Sequence, residues 1–154
     1  MQGADELDAL IGALKEKQQR LADLHGKLVP LALKIAPDLD DEQIKAIADT
    51  LLRHSIEGVI ATNTTLARAG LSSHLEQAGG ASGAILSKRA LEVVTRIART
   101  APRLTLIAAG GVMTKDDAQR RYDAGARLVQ IYTGLVFGGP GIVKRIVRTT
   151  TSGR

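Results

Sequence analysis

The residues able to do chemistry fall in short clusters, most of them directly after an apolar run. Gly110-Gly111 follows Leu104-Thr-Leu-Ile-Ala108 and precedes a segment opened by Thr114. Paired glycines let backbone N–H groups approach a phosphate closely, and a helix start adds a favourable dipole. Taken alone, the pair is better explained as a tight turn. It gains weight because Gly79-Gly80-Ala81-Ser82-Gly83 and Tyr132-Thr133-Gly134 occupy corresponding places in the chain. Lys34 stands at the end of another apolar run. A lysine there either snorkels to solvent or presents a cation to an electron-rich cofactor, and its place at the ligand end favours the second. Thr62-Asn63-Thr64-Thr65 follows Val59-Ile60-Ala61 and offers hydroxyls and an amide that donate and accept, which suits a planar polar ligand. A turn would account for Asn63 alone. There is no paired Asp/Glu motif, HExxH or nucleophile elbow, and a turn and a helix start explain Asp38, Asp40 and Asp41.

The elements that position these clusters follow from the apolar spacing. Leu7, Leu10, Ile11, Leu14, Leu21 and Leu24 predict one helical face over Asp5 to His25, with Gly26 placed to end the helix. Leu28 to Ile35, bounded by Pro37, reads as a buried strand. Asp40, with Gln43 in a capping-box position, opens a helix through Ser55 whose apolar face is Ile44, Ile47, Ala48, Leu51 and Leu52. A strand over Gly58–Thr62, a Gly/Ser-rich stretch from Asn63 to Gly83 and a helix of about Leu86 to Ala101 come next. A strand at Leu104–Ala108, a Thr114-capped helix to Ala124, a strand at Leu128–Ile131 and a helix over Gly141–Thr149 complete the pattern. Strands separated by helices pair in parallel, because each return crossing takes a helix.

Two parallel architectures compete. A doubly wound sheet has its usual fingerprint in GxGxxG at the first helix, which this chain lacks. A barrel holds ligands at the C-terminal ends of several strands, with phosphate near the last two. Polar and glycine residues recur at one end of all the expected strands, so the fold class read here is α/β, a partial (β/α)8 TIM barrel of about four parallel strands alternating with five helices. A complete barrel takes roughly 250 residues and eight strands. The 154 residues supply half of that, so the expectation is a fragment, or a half that a second copy closes.

Composition narrows the function classes. Hydrophobic residues make up 44% and aromatics only 2%, so the core is built from Leu, Ile, Val and Ala. The net charge of +5 admits a nucleic-acid or a phosphorylated partner, but basic residues are dispersed and lack aromatic platforms, which excludes nucleic acid as the better reading. No cysteine is present, and His25, His54 and His74 read as ordinary surface histidines, so no metal site is expected. No apolar run approaches the ~20 residues of a membrane span, and no signal-peptide pattern opens the chain.

Lys34-Ile-Ala-Pro-Asp-Leu39, Ile60-Ala-Thr-Asn-Thr-Thr65, Gly79-Gly-Ala-Ser-Gly83, Ala109-Gly-Gly-Val112 and Leu128-Val-Gln-Ile-Tyr-Thr-Gly134 together resemble the second half of quinone-dependent (class 2) dihydroorotate dehydrogenases, from about residue 2 to residue 149. Any one motif is weak; all of them in register are specific. The resemblance implies an FMN-dependent oxidoreductase that converts dihydroorotate to orotate in pyrimidine biosynthesis and passes electrons to quinone. By motif, Lys34 would contact the flavin ring and Thr62 would hydrogen-bond near it. Asn63 and Thr64 would bind the orotate carboxylate and ring, and Gly83, Gly111, Tyr132 and Thr133 would line the FMN phosphate and ribityl chain. The family's serine base would lie before residue 1, so no catalytic residue is expected in this chain. Ser55, Ser72, Ser73, Ser82, Ser87 and Ser152 sit in none of its contexts. The quinone-tunnel helices, which make full-length members peripherally membrane-associated, would also be absent, leaving a cytoplasmic chain that needs the N-terminal half-barrel or a second copy. Ala81 and Ala108-Ala109 depart from the family's usual leucine and Gly-Val. The alternative from another class is a non-catalytic half-barrel, closed as a dimer, that binds FMN or a phosphorylated metabolite.

Overall fold

A computed structural model describes residues 2–68 and 78–150. Its elements are α1 (Gln2–His25), β1 (Ala32–Ile35), α2 (Asp41–Arg53), β2 (Gly58–Ala61), α3 (Ser87–Thr100), β3 (Thr105–Ala109), α4 (Lys115–Asp123), β4 (Leu128–Gln130), α5 (Thr133–Gly138) and α6 (Gly141–Thr150). A short 3-10 turn, Ala84–Leu86, leads into α3. His74, Ser72, Ser73 and Ser152 lie outside the described residues.

Local chemistry sets the boundaries. Asp40 accepts from the Gln43 N–H while the Gln43 side chain accepts from the Asp40 N–H, at 2.8 and 2.9 Å, which closes the expected capping box of α2. Thr114 and Asp117 form a second capping box at α4, and Gly26 ends α1 at φ +65°. β1 is shorter than the apolar run suggested. The Val29 carbonyl accepts from Gln18 and the Leu31 N–H donates to Glu57, so side chains take the backbone groups that a longer ladder would use.

The strands pair in parallel in the order β1-β2-β3-β4. Alternate residues point to opposite faces. Ile35, Val59, Ala61, Leu106 and Ala108 point to the helices and bury against Ile11 of α1, Ile44, Ala48 and Leu51 of α2, and Val93, Val94 and Ile97 of α3. Val112, Ala118, Ile142 and Ile146 form a second cluster where α4 and α6 meet β4.

Among the described residues, no element covers the other face. Lys34, Ile60, Ile107 and Leu128 stand level across the sheet; Lys34 and Leu128 are exposed and the two isoleucines half-buried. Parallel sheets are ordinarily covered on both faces. One covered face is therefore the outside of a barrel wall, and the open face is its interior.

The expected single apolar face of α1 is divided. Ile11 is buried and Leu7 packs on the core, but Leu10, Leu14, Leu21 and Leu24 are exposed. Those leucines sit on the side of α1 away from α2, where the described residues provide no neighbouring element.

Candidate functional site

Every strand ends on the same side of the sheet, and a cavity of about 470 Å³ opens there. Lys34, Thr62, Asn63, Thr64, Gly83, Gly111, Tyr132 and Thr133, all eight residues singled out from the sequence, line it. A larger groove of about 910 Å³ runs between α2 and α3, lined by Lys45, Lys88, Glu92 and Arg96 among others. It lies on the outside of the wall and holds none of the motif residues.

The tips of the strands are pinned by the continuing ladder. The Asn63 N–H donates to the Ile35 carbonyl and the Thr62 N–H to the Ala109 carbonyl, both at 2.7 Å. Thr62 is buried, and its hydroxyl donates to the Asn63 carbonyl at 2.9 Å. Asn63 Oδ1 accepts from the Thr64 N–H at 3.0 Å, which leaves the amide nitrogen free to face a ligand. Lys34 projects from the open face of β1, beside Ile60 of β2. Its exposure there sets it apart from the buried Ile35 that follows.

The glycine-rich return folds over these tips. Thr65 and Ala81 exchange backbone hydrogen bonds at 3.0 and 2.8 Å. Gly80 lies so close to Thr64 that a Cβ there would fall 1.9 Å from the Thr64 hydroxyl. Ala81 thus takes part through its backbone, which accommodates its small side chain. Ser82 Oγ lies 2.9 Å from Thr133 Oγ1, joining the loops after β2 and β4 across the end of β3.

Gly110 and Gly111 adopt φ of +99° and +67°. A Cβ on Gly111 would lie 2.3 Å from the Ser87 Cα, so only glycine fits between the β3 loop and the start of α3. Tyr132 stands at the rim, 80% exposed.

Sequence reasoning missed several supports. Asp38 does more than shape a turn: its carboxylate accepts from the Thr65 hydroxyl at 2.5 Å and the Leu66 N–H at 2.8 Å, holding the base of the glycine-rich return. His54 is not an ordinary surface residue: it is half-buried, with Nε2 2.8 Å from Asp8 Oδ1, and this contact first, then Arg53, holds the Asp8 carboxyl below its usual value. Asp41 pairs with Arg96, in addition to opening α2. Arg121 is completely buried behind Gly110. Its place three residues after Ala118, on the inward side of α4, was the available signal. Among the described residues there is no cluster of His, Asp or Glu suited to a metal, and no helix is long and apolar enough to cross a membrane.

Polar tips, a glycine-rich return and a cavity at the C-terminal ends of parallel strands define one wall of a (β/α) barrel. The family model for dihydroorotate dehydrogenase matches residues 1–152, and the chain belongs to that family. It is 58% identical over 151 residues to a dihydroorotate dehydrogenase (quinone) of Burkholderia multivorans, covering 96% of this chain and 44% of that protein. The corresponding protein of Paraburkholderia phymatum is 59% identical over 146 residues, covering 93% and 42%. A solved Eimeria tenella DHODH in complex with ferulenol matches with a TM-score of 0.87 at 31% identity, over 93% of this chain and 42% of that one. The ligand-free Eimeria tenella enzyme gives 0.86 at 32%, over 97% and 47%. The chain therefore spans under half the length of the relatives it matches.

Proposed function

We propose that this chain is the C-terminal half of an FMN-binding (β/α)8 barrel and, joined to a complementary half-barrel, takes part in the quinone-linked oxidation of dihydroorotate to orotate. The observation that carries the reading is the convergence of all eight expected residues on one cavity in a chain matched throughout by the dihydroorotate dehydrogenase family.

The residues present fit a flavin phosphate. Gly83 and Gly111 both have positive φ, and at each an added Cβ would crowd a neighbour, at 3.1 Å from Thr133 and 2.3 Å from Ser87 respectively. Glycine lets the backbone pack this closely beside a helix start, where N–H groups with no side chain over them can be offered to a phosphate. Thr133 and Tyr132 add hydroxyls at the same end. Lys34, on the open face, would place its ammonium against the flavin ring and favour negative charge gathering there. Asn63 and Thr64 would hold the carboxylate and ring amides of the substrate, and Thr62 would fix the edge between the two. FMN, when bound, supplies the acceptor for the hydride leaving dihydroorotate. The proton leaving in the same reaction needs a base, and none of the side chains lining this cavity is placed as one; by family resemblance, a serine of the complementary half takes that part.

The experiment is a titration of FMN with the purified chain, followed by flavin fluorescence, alongside an assay of dihydroorotate oxidation. Saturable quenching without turnover is the expected result. Turnover by the isolated chain would show that the base lies within it, and the division of labour proposed here would be wrong. The bare sheet face and the free edges of β1 and β4 favour a second reading, in which two copies close one barrel. Light scattering separates the two, since that reading requires a dimer of the pure chain.

A further inference from the structure

Arg121 occupies a place where an apolar side chain would be the simpler choice. It is 0% exposed, and burial pulls its guanidinium below the usual value, opposed by the field of Asp117. Removing such a group from water is costly. Part of that cost is offset by acceptors gathered on one nitrogen, while Nε is buried with no partner among the described residues. Nη2 donates to the Ser87 carbonyl at 2.7 Å, to the Gly110 carbonyl at 3.0 Å and to the Ser87 hydroxyl at 3.3 Å. Asp117 completes the group: its carboxylate takes the N–H of Met113 and of Thr114, and lies 3.4 Å from the same Ser87 hydroxyl.

These acceptors belong to the two segments that frame the glycine cradle. Gly110 is the first glycine of the β3 loop, and Ser87 is the first residue of α3. The segments touch, since a Cβ on Gly111 would meet the Ser87 backbone at 2.3 Å. In a trans peptide the carbonyl and the N–H point in opposite directions. Fixing the Gly110 carbonyl on Arg121 therefore turns the Gly111 N–H away from Arg121, and Gly111 is among the residues that line the cavity. A Gly-Gly pair has the widest backbone freedom of any dipeptide, so its orientation must be imposed from outside.

We propose that Arg121 is a positioning residue for the phosphate end of the cavity, one guanidinium nitrogen setting the Gly110–Gly111 peptide plane and tying it to the start of α3. It touches no ligand; it acts through the backbone N–H it orients. The inference rests on the reading that this cavity takes FMN.

The test compares FMN with riboflavin, which has the same ring and lacks the phosphate, using fluorescence quenching by the full chain. Wild type is expected to prefer FMN. Arg121→Met should lower that preference by about tenfold, the worth of one charge-assisted hydrogen bond, with riboflavin affinity nearly unchanged. Arg121→Lys, which keeps the charge but has a single nitrogen without the planar fork, should recover part of the preference and stands in if the methionine variant does not fold. Val94→Ala, in the core shared by α3 and the sheet, should lower Tm while keeping the wild-type ratio. If Arg121→Met or Arg121→Lys loses Tm but keeps the full preference for FMN, the residue is only structural and the inference fails alone. If folded wild type binds neither flavin, or binds both equally, the phosphate reading fails and takes the inference with it.

Discussion

At the scale of single residues, the cavity depends on positions where a side chain has no room. Gly111→Ala adds a Cβ at φ +67°, against the Ser87 backbone. We expect a loss of roughly 1–3 kcal/mol in stability from the left-handed conformation alone, read as a fall in Tm. FMN binding should weaken with it, because the relief of the clash moves the loop away from α3. Unchanged Tm and unchanged flavin affinity would show that the loop is not packed as described. Glu57 is a residue whose ionisation contributes to folding. Burial raises its pKa, but hydrogen bonds from the Leu31 N–H, Lys15 and Gln18 outweigh that and hold it at about 2, against an ordinary 4.5. A depressed folded value means the stabilisation is complete above the ordinary value and is lost as pH falls from about 4.5 towards 2. Glu57→Gln should flatten the pH dependence of Tm across that window; an identical slope in both proteins would remove Glu57 from the account. Most of the cavity-lining residues were legible in the sequence because they follow apolar runs, Gly83 being marked instead by its glycine-rich surroundings. Asp38 and Arg121 were not, since Asp38 meets Thr65, 27 residues on, and Arg121 meets Gly110 and Ser87, 11 and 34 residues back, and local spacing marks at most that Arg121 faces inward.

At the scale of elements, the capping boxes were readable and the irregular pieces were not. Asp40→Ala removes one half of the box at α2 and should cost about 1 kcal/mol, seen in the urea midpoint with the slope unchanged. A midpoint within error of wild type would mean that α2 is held by packing alone. α5 escaped notice because its six residues include Gly134 and Gly138 and are too few to show a helical period. It forms because Gly134 can pass close to Val112, whose carbonyl would be 2.3 Å from a Cβ, and because the Tyr132 carbonyl accepts from both Leu135 and Val136. The leucines of α1 misled for the opposite reason. Their spacing is a sound helical signal, but periodicity cannot say how many partners share one helix, and here the side bearing Leu10, Leu14, Leu21 and Leu24 is left uncovered.

At the scale of the whole molecule, four strands form a wall that the helices cover on one side, and among the described residues its other side is open, with Leu128 54% exposed beside Ile107. An apolar face of that kind marks an interaction surface. The proposal that it meets a complementary half-barrel predicts that adding the segment of the Burkholderia multivorans relative outside the matched region suppresses binding of a hydrophobic dye and brings dihydroorotate oxidation to a chain that lacks it. Dye binding unaffected by that segment would leave the face without its proposed partner. The central claim is narrower: this chain by itself carries the phosphate end of a flavin site. Titrating FMN with the folded, purified chain tests it most directly. The account predicts saturable quenching at one flavin per chain, weakened by Gly111→Ala. FMN fluorescence left unchanged by folded protein would contradict it.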